Sequence, residues 1–135
     1  MISPLTIDAP LSADLEQLGL EFFAEFYGGL VRRHPGNLEA LSELAQVFTM
    51  LGRNNEGLAI DEQLVRALPE SPLVRYNLAC SLSLVGRSLE ALDALERSIA
   101  LGYDDIEHML VDEDLLSLHK EVRFQRLLKR LSRPD

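Results

Sequence analysis

The 135-residue chain has no tryptophan and one cysteine, and aromatic residues make up only 6% of it. Lone Cys80 cannot close an internal disulfide, and with no second cysteine it cannot found a thiolate zinc site. Residues 1–20 carry no basic segment ahead of an apolar run, so no signal peptide is predicted. No stretch approaches the roughly 20 apolar residues that crossing a bilayer takes, which predicts a cytoplasmic chain without membrane contact. The eight glycines are scattered singly or as Gly28-Gly29, so no phosphate-cradling loop is present. What the chain has instead is leucine and alanine. Hydrophobic residues reach 47%, which excludes a solvated disordered chain, and the balance favours an all-α protein of one domain.

Charge is also uneven. The net charge is −9, and residues 1–119 hold 20 of the 22 acids but only 7 of the 13 bases. An acidic body repels phosphates, so no nucleic-acid partner is expected. The basic end is Lys120, Arg123, Arg126, Lys129, Arg130 and Arg133. It reads as complement to the negative end of a last helix rather than as a polyanion contact.

Self-similarity is the main signal. Residues 38–71 align with 72–105 without a gap, a period of 34 residues. Leu44 falls on Leu78, Ala45 on Ala79, Gly52 on Gly86, Arg53 on Arg87, Glu56 on Glu90 and Leu58 on Leu92. In the first unit Leu41, Leu44, Val47, Phe48 and Leu51 recur at helical spacing, and Leu58, Ile60, Leu64 and Val65 supply a partner helix. Gly52 is placed to end the first helix in the left-handed conformation. Ala45 with Gly57, and Ala79 with Ala91, give the small surfaces that two closely crossing helices need. Ser71-Pro72 reads as an N-cap followed by proline at the first helical position, and Pro69 closes the helix before it.

This period and pattern resemble the tetratricopeptide repeat, and the resemblance extends over about residues 13–132. It implies a right-handed solenoid of helical hairpins in a single domain, with repeats at 38–71 and 72–105. Upstream, residues 13–35 form a strongly apolar helix ending at His34-Pro35, in the place of the second half of a preceding repeat. Residues 1–12, with Pro4 and Pro10, read as a flexible leader, and residues 133–135 as a tail. Downstream, residues 106–132 resemble the cap found after some bacterial tetratricopeptide groups, through Asp112, Asp114, Leu115, Leu118, Arg123, Phe124, Leu127 and Leu128. Leu115, Leu118, Phe124, Leu127 and Leu128 would cover the open face of the last repeat.

Few residues invite chemistry. Cys80 has no histidine near it in pattern, so it is read as a small core residue rather than a nucleophile. His108 and Asp112 are four apart and can share a helix face, but two ligands do not make a metal site. The acids of residues 104–114 lack the spacing and central glycine of a calcium loop, and serve a helix N-terminus instead. No carboxylate pair stands out for acid–base work. No enzyme, cofactor or metal is expected; a metal-binding or enzymatic protein, resting on the His108/Asp112 pair, is the remote alternative.

The resemblance also implies a concave groove lined by the first helix of each unit, where a partner's peptide or helix would lie. By position the groove takes Glu39, Ser42, Gln46, Thr49 and Met50 from the first unit. Leu73, Tyr76, Asn77, Cys80, Ser83 and Leu84 come from the second. Such a groove would be mixed and nearly uncharged, with Tyr76 and Asn77 either its main contacts or groups that satisfy neighbouring repeats. Ser42 and Gln46 stand where the chaperone-tail clamp of the family requires lysine and asparagine, so that clamp is absent. The expected function is therefore an adaptor or scaffold, with a secretion-chaperone role as a narrower form. The leader is a candidate occupant of the groove. A second expectation is self-association, because Phe22, Phe23, Phe26 and Tyr27 spread around much of the N-terminal helix. A twofold dimer is the commonest form of such assembly.

Overall fold

In the computed structural model, which describes residues 9–132, the chain is all-helical and no strand occurs among the described residues. Among the described residues seven α-helices follow in order: α1 (Ala9–Arg33), α2 (Leu38–Met50), α3 (Asn54–Ala67), α4 (Pro72–Leu84), α5 (Ser88–Ala100), α6 (Ile106–Val111) and α7 (Val122–Ser132). A 3-10 helix, Glu113–Leu118, lies between α6 and α7. Helix α1 starts at Ala9 rather than at the predicted residue 13, so the expected leader is helical over its last residues. Pro10 falls in the first turn, where its missing amide hydrogen has no helical partner to lose. The rest of the leader, the idea that it fills the groove, and the tail at 133–135 fall outside the described residues.

Local sequence explains the boundaries. The Asn37 side chain accepts from the Ala40 amide at 3.1 Å, and Ser71 Oγ accepts from the Val74 amide at 3.2 Å with Pro72 as first helical residue. Gly52 and Gly86 take φ of +76° and +83°, as predicted. Beyond them the Arg53 amide bonds Phe48 O and the Arg87 amide bonds Leu82 O, the six-to-one closure of a helix end. Gly102 repeats the device after α5, where the Tyr103 amide bonds Ser98 O.

Successive helices pack on one another: α1 on α2, α2 on α3, α3 on α4, and α4 on α5. At the α2–α3 crossing a Cβ on Gly57 would lie 3.1 Å from Thr49 Oγ1 and 3.4 Å from Ala45 O, so the close approach expected there is real. In the second hairpin Ala79 and Ala91 are fully buried. One core cluster joins α2, α3 and the start of α4 through Leu41, Leu44, Ala45, Ile60, Leu64 and Val74, with Tyr27 and Val31 of α1 against it. The other joins α4 and α5 to Met109, Leu115, Leu118, Phe124 and Leu127. The C-terminal leucines and Phe124 thus lie against the last hairpin as the sequence implied. At the surface Arg123 of α7 also bonds Asp93 (2.6 Å) and Glu96 (2.9 Å) of α5.

Candidate functional site

The 3-10 helix packs on α4 and not only on α5. It therefore lies along the face that the sequence assigned to the groove. Ser83 Oγ sits 2.9 Å from Ser117 Oγ, and the Tyr76 hydroxyl donates to Asp112 Oδ2 at 2.6 Å. The Tyr76 ring stacks on Tyr103 at 4.2 Å between centroids and meets His108 at 5.6 Å. Tyr76, Cys80 and Ser83 are consequently buried. This changes the expected surface: Tyr76 is a wall held by the C-terminal segment, and Ser83 is sealed under it.

What stays open is a cleft of about 320 Å³ between α2 and α4. It gathers seven of the predicted groove residues: Ser42, Gln46, Thr49 and Met50 from α2, and Tyr76, Asn77 and Cys80 from α4. Glu39, Leu73, Ser83 and Leu84 do not line it. Seven further residues do: Ala45 of α2, Asp61 and Leu64 of α3, Ser81 of α4, and His108, Asp112 and Asp114 of the C-terminal segment. The expectation of a nearly uncharged groove is thereby corrected, since three carboxyls and one imidazole face this space. Pairwise periodicity could not show it, because Asp112 reaches Tyr76 across 36 residues. The one available signal was the Asp112-x-Asp114 pair just before the leucines, which reads equally well as helix capping.

The capping reading is also correct in part. Asp105 accepts the His108 amide at 3.0 Å, and Asp112 accepts the Asp114 amide at 3.0 Å. Asp112 has more partners still: Tyr76, the Cys80 thiol at 3.6 Å, and His108 Nε2 at 3.2 Å. So His108 and Asp112 do meet. Asp61 is 5% exposed, and its hydrogen-bond partner is the Ser81 hydroxyl. No cation pairs with Asp61 among the described residues, and burial pushes its carboxyl up to about 6, against which the Ser81 bond acts. Burial, with Asp112 and Glu113 beside it, raises the Asp114 carboxyl as well. Burial and the carboxylates of Asp112 and Asp114 push the Cys80 thiol far up, so it stays protonated and unreactive at neutral pH. Burial pushes Tyr103 up to about 12.

Cys80, Asp112 and Asp114 offer ligand atoms within 4.8 Å of one another, a set a divalent ion could use. In place, however, Asp112 spends its oxygens on Tyr76, Cys80 and the Asp114 amide, and a metal would have to break those bonds. The aromatic residues of α1 stand apart from the cleft. Phe22, Phe23 and Phe26 are exposed, and only Tyr27 turns to the core. No helix among the described residues is long and apolar enough to cross a membrane.

No model of a known protein family matches the chain. Over 85 residues, 61% of the chain, it is 33% identical to a chloroplastic protein of Arabidopsis thaliana. That stretch is 25% of the Arabidopsis protein, so the chain corresponds to about a quarter of that relative's length.

Proposed function

We propose that the chain is a non-catalytic, cytoplasmic interaction module of tetratricopeptide type that holds a short segment of a partner protein in the α2–α4 cleft, and that the segment carries arginine or lysine. One observation carries the reading. The cleft has Gln46 and Asn77 on open walls, able to bond a peptide backbone, above a floor of Asp61, Asp112 and Asp114. A guanidinium entering between them would supply the countercharge that buried Asp61 lacks. The 34-residue period supports the tetratricopeptide part. The protonated Cys80 thiol and the engaged Tyr76 hydroxyl take two candidate nucleophiles out of play, which supports binding over catalysis.

The test is fluorescence anisotropy with a labelled arginine–alanine peptide and its citrulline counterpart. The arginine peptide should bind, more weakly as salt rises, and the citrulline peptide should not. Gln46→Arg places a repelling charge in the cleft and should weaken binding about tenfold or more. Gln63→Arg, the same change on exposed α3 surface, should not. Equal effects of the two substitutions would mean diffuse attraction to an acidic surface, and the cleft assignment would fall.

A further inference from the structure

The three carboxyls of the α2–α4 cleft are not equivalent. Asp112 accepts from the Tyr76 hydroxyl, the Cys80 thiol and the Asp114 amide, with His108 Nε2 3.2 Å away, so its charge is answered within the chain. Asp114 is half-buried, and water reaches it. Asp61 is buried and has one neutral partner, the Ser81 hydroxyl. A buried carboxylate with a single neutral donor is costly, and without a cation its cheaper form is the protonated one.

The surroundings of Asp61 point the same way on every side. Among the described residues no lysine or arginine lines the cleft. Helix α2 brings Ser42, Ala45, Gln46, Thr49 and Met50, none of which ionises. Helix α4 brings Tyr76 and Cys80, both held protonated at neutral pH by burial and by Asp112. The C-terminal segment adds His108, Asp112 and Asp114. Apart from His108 in its protonated form, everything that shares the cleft with Asp61 is therefore neutral or negative.

We infer that the cleft takes the cationic side chain of its partner in exchange for the proton of Asp61, so that mild acid expels the bound segment. This rests on the proposed binding of an arginine- or lysine-bearing segment in the same cleft. The proton and the cation are alternative answers to one buried charge. As the cation enters, the O–H bond of the Asp61 carboxyl breaks, its proton passes to solvent, and the carboxylate gains the cation as partner. A bound cation favours the charged form of Asp61. Affinity therefore rises with pH through about 6, where burial has moved this carboxyl, and levels off above it. One unit below that value the partner binds about tenfold more weakly than on the plateau.

Isothermal titration calorimetry of the full chain tests it, with an arginine–alanine peptide capped at both ends so that its own charge is constant. The dissociation constant should rise about tenfold between about pH 7.5 and about pH 5. Near pH 6, heats compared in two buffers of different ionisation enthalpy should show about half a proton released per peptide bound. His108 also gains positive charge in acid and would repel the peptide, so His108→Gln serves as the reference chain. The step should remain in it and vanish when Asp61→Asn is added, since that amide keeps the Ser81 bond without a proton to exchange. Asp114→Asn should weaken binding across the range and keep the step. Circular dichroism should be unchanged in all three. Equal affinity at both ends of the range, or a step that is lost with His108 or Asp114 in place of Asp61, overturns the inference and leaves the cleft reading standing. Absence of binding at every pH overturns both.

Discussion

At the C-terminal end Phe124 of α7 is 1% exposed, while at the N-terminal end Phe22 of α1 is 64% exposed. Both helices flank the same run of helical hairpins, yet they pack on it differently. Helix α7 is short and sharply two-sided: Phe124 and Leu127 enter the core, and the basic residues face outward or, like Arg123, pair with α5. Helix α1 is twice as long and seats one stripe only, with a cleft of about 460 Å³ left between it and the first hairpin around Gly28, Phe48 and Arg53. The difference teaches that an apolar flanking helix need not be a cap. A cap must place its polar residues opposite its apolar ones, and α1 does not.

The largest test of this contrast is at the two phenylalanines. Phe124→Ala should lower unfolding free energy by about 3–5 kcal/mol in urea titrations, because it opens a cavity among residues that cannot close over it. Phe22→Ala should stay within about 0.5 kcal/mol. A loss at Phe22 as large as at Phe124 would place that ring in the core and erase the contrast.

A smaller effect is expected where the two halves meet, at Asp61 of α3 and Ser81 of α4. The Asp61 carboxyl is raised from 3.8 to about 6. The folded state thus binds its proton more tightly than the unfolded chain, and stability falls as pH rises from about 4 through about 6. At about 1.4 kcal/mol per unit, the charged form costs on the order of 2–3 kcal/mol at neutral pH. Asn keeps the bond from Ser81 without the charge. Thermal unfolding across pH should show Asp61→Asn more stable than the parent above about pH 7, with the two converging near pH 4. A constant difference at every pH would show that charge is not the cause.

The smallest effect should come from Arg123. Its bonds to Asp93 and Glu96 look strong, but all three side chains are more than a third exposed. Arg123→Ala should cost less than about 1 kcal/mol, and less still at high salt. A larger loss would mean that ion pairing, and not Phe124 and Leu127, holds α7 in place.

Much of the fold was legible because it is local. Ser71-Pro72, Gly52 and Gly86 each act within one turn of their own position, so their roles follow from identity and spacing; the Asn37 cap, equally local, was passed over. The covering of the last hairpin by Leu115, Leu118 and Phe124 followed from the cap resemblance. The cleft was half legible. Ser42, Gln46 and Asn77 were placed on it by the tetratricopeptide resemblance, but its charge comes from Asp61, Asp112 and Asp114, which reach it from other elements.

The sequence by itself determined where the helices of the two repeats start and stop and which of their residues are apolar, since these depend on hydrogen bonds and side chains a few residues apart. Only the tertiary structure decided that the segment after α5 folds back over α4, burying Tyr76 and lending the cleft two of its three carboxyls. It alone decided which of the two apolar faces of α1 is left uncovered. Both are choices among surfaces of similar chemistry, made by the packing of the whole and by no single stretch of chain.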